Sequence, residues 1–227
     1  MPSLASSLDV LADHIWLGVV AALLFVAGLA TAGPVVQRDH RWLMALPLAV
    51  VRLVLRLIGP QFRAVPAFLV IFVFNSVAIC LYMLSGALIV LPGVMAFLTG
   101  LNIGVVTLKA GEIQMPGGQG SLGALVAATE GREVPRWAGL CGLMVLALEL
   151  PSFWVSVGMG IGMARKLSAA GAYTLANLNA LAAERLHAYW MVVIPALFLS
   201  ALAETAAIRG HMGARTGGAG HQGDADG

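Results

Sequence analysis

Charge is what this sequence has least of. Only 11% of its 227 residues are Asp, Glu, Lys or Arg, and lysine occurs only as Lys109 and Lys166. An ordinary soluble domain carries about 25%, so the shortage excludes a conventional soluble fold. The formal net charge is +2, with the basic residues in the connections between apolar runs, which gives no support to nucleic-acid binding. Cysteine is scarce too. Cys80 and Cys141 both fall inside apolar runs, read as small buried hydrophobes, and say nothing of redox compartment. Enzyme signatures are missing: the chain contains no GxSxG elbow, no HExxH and no P-loop. The stretch MPGGQGS at 115–121 has glycines but no following lysine and no preceding strand, so it reads as a flexible turn. The first apolar run lacks a basic leader and is preceded only by Asp9 and Asp13, so it is expected to persist in the mature protein.

Apolar residues take up the space, at 59% of the chain, and the mean hydropathy is +0.90. Long uncharged runs of this kind predict an all-α, polytopic transmembrane helix bundle. A first span is expected over 15–32, closed by Gly33-Pro34. The run 66–108 is too long for one crossing, and Ser85-Gly86 divides it into 67–84 and 87–108, a helical hairpin. A fourth span is expected over 138–164 and a fifth over 188–208. Residues 42–58 place Arg52 and Arg56 four apart among leucines and valines. That is the pattern of a helix lying in the interface with its arginines snorkelling. A second amphipathic stretch, 167–187, leads into the last span, and 122–129 reads as a short surface helix. The glycine-rich tail has no apolar period and is expected to be disordered. The 33–66 connection, the 109–137 connection and the tail hold ten Lys and Arg, against Arg165, Lys166 and Arg185 on the other side. This asymmetry predicts an outside N-terminus and a cytoplasmic C-terminus.

Inside the spans the polar residues are few enough to name. Glu149 is the single ionisable residue of 138–164, close to its centre, where an acid costs roughly 2.5–3.5 kcal/mol on insertion scales. Two residues on, Pro151 removes a backbone donor and crowds the carbonyl of Ala147, so a helix break is expected beside the acid. Asn75 lies at the same depth in the second span, and a neutral Glu149 donating to its carboxamide is the expected pair. Asn102 and Glu204 form a second level near the cytoplasmic ends of their spans, with Lys109 and Arg209 just beyond. Gly100 with Gly104, and Gly158 with Gly162, have the small-xxx-small spacing that lets helix backbones approach. The methionines are scattered through bulk apolar sequence, which suits packing or lipid contact rather than a copper path.

The order of these elements resembles a known family. An Asn opens a long apolar hairpin (FVFNSVAICLYMLSGALIVLPGVMAFLTGLNIG), Glu-Leu-Pro follows in a later span (LALELPSFWVSVGMGIGMA), and PALFLSALAETAA closes the core. Together these resemble the stage II sporulation protein M family of bacterial membrane proteins over roughly residues 67–208. The family's Asn-Asn and Asn-Gly pairs are matched by Asn75-Ser76 and Asn102-Ile103, and its closing Glu by Glu204. Val145 and Leu146 stand where the family has His-Gly before the Glu matched by Glu149. The resemblance implies an integral membrane protein without catalysis or cofactor of its own, anchoring a cell-wall-remodelling complex. The expected organisation is a first span and interfacial helix over 1–66, the membrane core over 67–208 and the tail over 209–227. Expected partners are the lipid bilayer, other membrane or envelope proteins and further copies of the chain. The alternative reading is a transporter or permease-like subunit that uses Glu149 at the proline.

Overall fold

Within lipid, a chain must satisfy each backbone N–H and C=O internally, and an uninterrupted apolar run does so as a helix. The computed structural model describes residues 4–59, 63–109, 136–169 and 173–218. In chain order these form α1 (Leu4–Asp13), α2 (Ile15–Gln37), α3 (Arg41–Ile58), α4 (Ala64–Leu84) and α5 (Leu91–Leu108). Then come α6 (Arg136–Ala169), α7 (Leu175–Ala188) and α8 (Ile194–Gly218). No strand occurs among the described residues. Five stretches are long and apolar enough to cross a membrane: Ile15–Gln37, Ala64–Ala87, Leu91–Leu108, Trp137–Ser168 and Leu175–Gly210. The architecture is an all-α bundle, as the hydropathy pattern predicts.

Turn chemistry sets the corners. Ser85 Oγ donates to the Tyr82 carbonyl at 2.6 Å, and a 3₁₀ turn over Ser85–Ala87 folds α4 back into α5, with Pro92 in the first turn. Asp39 takes φ 49° between α2 and α3 and accepts from Arg41 Nε at 3.3 Å. Gly59, at φ 79°, ends α3 in a conformation that a residue with a Cβ adopts at a cost.

Helix α6 is the hub, packing on α2, α4, α5 and α8, while α2 and α5 run tightly together. Phe25, Phe153, Tyr82 and Trp154 interlock at this centre, with ring centroids 5.1–6.3 Å apart. Phe68, Phe72 and Phe198 tie α4 to α8. At one end α1 lies against α7, and the Tyr173 hydroxyl donates to the carbonyl of Ala87 in the hairpin turn. Helix α3 rests on α4 and α5 near the other end of the hairpin.

Four features depart from the sequence reading. Helix α2 is not closed by Gly33-Pro34 but runs through Pro34 to Gln37. Helix α6 continues through Pro151 without a break. A proline removes one donor, and the packing of α6 against its neighbours holds the helix across the gap. The stretch 167–187 is not one amphipathic helix: its start completes α6, and α7 runs through a π-helical turn at Tyr189–Val193 into α8. Helix α8 extends to Gly218, so the tail begins as helix, since adding residues to an existing helix avoids the cost of nucleation. The 115–121 turn and the 122–129 segment lie outside the described residues.

Candidate functional site

Three helices bring polar side chains to one point within the bundle. Glu149 comes from the middle of α6, Asn75 from the middle of α4, and Ser200 and Glu204 from successive turns of α8. Asn75 Nδ2 donates to Glu149 Oε1 at 2.7 Å, and Ser200 Oγ donates to the same oxygen at 3.0 Å. Ser200 is fully buried, whereas Asn75, Glu149 and Glu204 keep a small exposed fraction. Glu204 lies within electrostatic reach of Glu149. Glu149 Oε1 accepts from the Asn75 amide, the reverse of the donation expected from sequence.

Depth along a span, readable in sequence, brings Asn75 to Glu149, but it does not give azimuth. Helix α5, with half-buried Asn102, packs chiefly on α2, whereas α8 packs on α6 and α4. Glu204 thus joins the Glu149 group and Asn102 stands apart from it. Pro151 sits on an exposed side of α6, about 200° around the helix from Glu149. The glycines lie at helix crossings. A Cβ on Gly100 would strike the Phe25 carbonyl of α2, and one on Gly104 would strike Ala32. One on Gly158 would meet the Gly18 backbone, and one on Gly162 the His14 ring.

A second polar group, at the α1–α7 end, escapes the sequence reading. Arg185 is fully buried, donating from Nε to the Met159 carbonyl at 3.1 Å and from Nη1 to the Leu181 carbonyl at 2.9 Å. Its Nη2 lies 3.5 Å from His14 Nε2, and Glu184 lies 3.5 Å from Nη1. His14 Nδ1 is 2.6 Å from the Val10 carbonyl, to which it must donate. That leaves a neutral ring with Nε2 as acceptor towards Arg185. His14 precedes the first span, and burial, then the positive charges of Arg185 and Lys166, hold its pKa below the ordinary 6.5 against the opposing Val10 bond and Asp13. The signal for Arg185 is its position in the inward stripe of α7, one turn beyond Leu181.

The chemistry on offer is hydrogen bonding and proton holding. Among the described residues no group of three or more His, Cys, Asp or Glu could hold a metal ion. Five membrane-crossing helices, packed through small residues and joined by a few interior polar contacts, make this a multi-pass helical membrane protein. Comparison with protein-family models, curated proteins and solved structures finds no match to the chain.

Proposed function

We propose that the protein is a non-catalytic scaffold or anchor of the bacterial inner (cytoplasmic) membrane, recruiting envelope or cell-wall-remodelling proteins. The observation carrying this reading is how the deep polar groups are engaged. Glu149 binds α4 and α8 to α6, and Arg185 binds α7 to the α6 backbone. These are groups committed to holding helices in one arrangement, as a docking platform needs. The resemblance of residues 67–208 to the stage II sporulation protein M family supports the same role. The test is site-specific photocrosslinking in native membranes from exposed positions at both ends of the bundle, with identification of the adducts. Envelope-remodelling proteins are the expected adducts. Transport components alone would overturn the proposal.

One observation favours a second reading. A proton or ion path needs more than one deep acid, and Glu204 supplies a second beside Glu149. In that case the purified protein in proteoliposomes would carry a proton or solute flux that Glu149→Gln abolishes. A flux unchanged by that substitution would remove this reading.

A further inference from the structure

Helix α3 presents three different faces around one axis. Met44, Pro47 and Ile58 are buried, on the side packed against α5 and α4. At about 100° per residue, Arg41, Arg52 and Arg56 fall within an arc of roughly 60° on the other side, and all three are exposed. Next to them runs a stripe of Trp42, Leu46, Leu53 and Leu57, also about 60° wide, with relative exposures of 52–85%. A helix wholly in hydrocarbon would not carry three arginines along its open side, and one wholly in water would not carry this apolar stripe. The boundary between acyl chains and headgroups accommodates both.

The charge on this segment is nearly all of one sign. The stretch 38–63 holds Arg38, Arg41, Arg52, Arg56 and Arg63 against the single acid Asp39. Asp39 is engaged with Arg41 at 3.3 Å, and α3 itself contains no acidic residue. Arg52 and Arg56 are one turn apart, a spacing that lets two planar guanidinium forks approach neighbouring phosphate oxygens.

We propose that α3 is a binding surface for anionic phospholipid. Trp42 and the leucine stripe enter the acyl region, and Arg52 and Arg56 hold the headgroup phosphates. The buried face fixes the height and rotation of α3 against α4 and α5, so bound lipid helps to seat the whole bundle at one leaflet. This assignment is independent of the Glu149 group and of the scaffold reading.

The test uses the full-length protein in mild detergent, titrated with phosphatidylglycerol or phosphatidylcholine, with bound lipid counted by native mass spectrometry. Phosphatidylglycerol is expected to bind on the order of tenfold more tightly, with the preference weakening as salt rises. The double variant Arg52→Gln/Arg56→Gln is expected to lose that preference while keeping its helicity and melting temperature. Arg52→Lys/Arg56→Lys should retain most of it, since charge is kept. Equal binding of the two lipids, or a preference that survives the Gln pair, overturns the proposal. Displacement of phosphatidylglycerol by inorganic phosphate alone would mark a free-phosphate site and overturn it as well.

Discussion

Replacing Glu149 by Gln keeps a carbonyl oxygen where Asn75 and Ser200 donate, and exchanges the other, titratable oxygen for an amide NH2. Helix packing through this group therefore predicts that Glu149→Gln changes stability by less than about 1 kcal/mol. Glu149→Leu leaves the Asn75 amide and the buried Ser200 hydroxyl without their acceptor, an expected loss of about 1–3 kcal/mol. Thermal denaturation of the detergent-solubilised protein compares the two, and equal losses would contradict the packing role. His14 gives a prediction in pH. Its folded pKa lies below the ordinary 6.5 because of burial and the nearby positive charge of Arg185 and Lys166, so the unfolded chain takes up the proton first. The stability it contributes is present above pH 6.5 and is lost as pH falls through the depressed folded value. The melting temperature of the wild type should fall more steeply over this acid range than that of His14→Asn, which does not titrate. Parallel curves would show that His14 stays neutral in both states or charged in both.

Close approach at the helix level can be tested by adding one carbon. Gly100→Ala would push a Cβ into the Phe25 carbonyl, where backbone meets backbone and no rotamer relieves the clash. The expected cost is about 1–3 kcal/mol or more, with α2 and α5 forced apart. Gly33 is the internal control, since it lies within α2 and a Cβ there meets nothing within 4 Å. Gly33→Ala should be neutral or stabilising by up to about 1 kcal/mol through helix propensity. Equal effects at both positions would separate the Gly100 spacing from tight packing. Much at this scale is legible in sequence, because spans are set by apolar length and the hairpin by Ser85-Gly86. Helix α3 is legible as an amphipathic helix from its arginine spacing. Other features are not, because they depend on neighbours. Pro151 reads as a break until α2, α4 and α8 are seen to hold α6 across it. Arg185 reads as a charge on an amphipathic stretch outside the spans until α6 offers it the Met159 carbonyl. Ser200 carries no signal of its own, since a serine in an apolar helix usually bonds its own preceding turn.

Across the molecule, burial of Arg185 alters the charge balance from which orientation is inferred. Of the three basic residues assigned to the α1–α7 end, only Arg165 and Lys166 remain exposed. The opposite end keeps Arg38, Arg41, Arg52 and Arg56 exposed around α3, and Arg209 exposed near the end of the last span. Contacts agree on which parts share an end: His14 meets Arg185, and Tyr173 meets Ala87. The N-terminal helix, the hairpin turn and the α6–α7 connection therefore lie together, as the two and four crossings that separate the later two from the first require. From the bias of positive charge, that end is expected outside and α3 at the cytoplasmic leaflet. Single cysteines at exposed positions measure this directly, in a background where Cys80 and Cys141 are replaced by Ala. A membrane-impermeant maleimide added to spheroplasts should label Asp9→Cys, whereas Arg209→Cys should react only after permeabilisation. The reverse pattern would turn the bundle over and put the α3 arginines at the outer leaflet. Labelling of both sites in sealed spheroplasts would place both ends of the chain on one side, which is incompatible with five crossings.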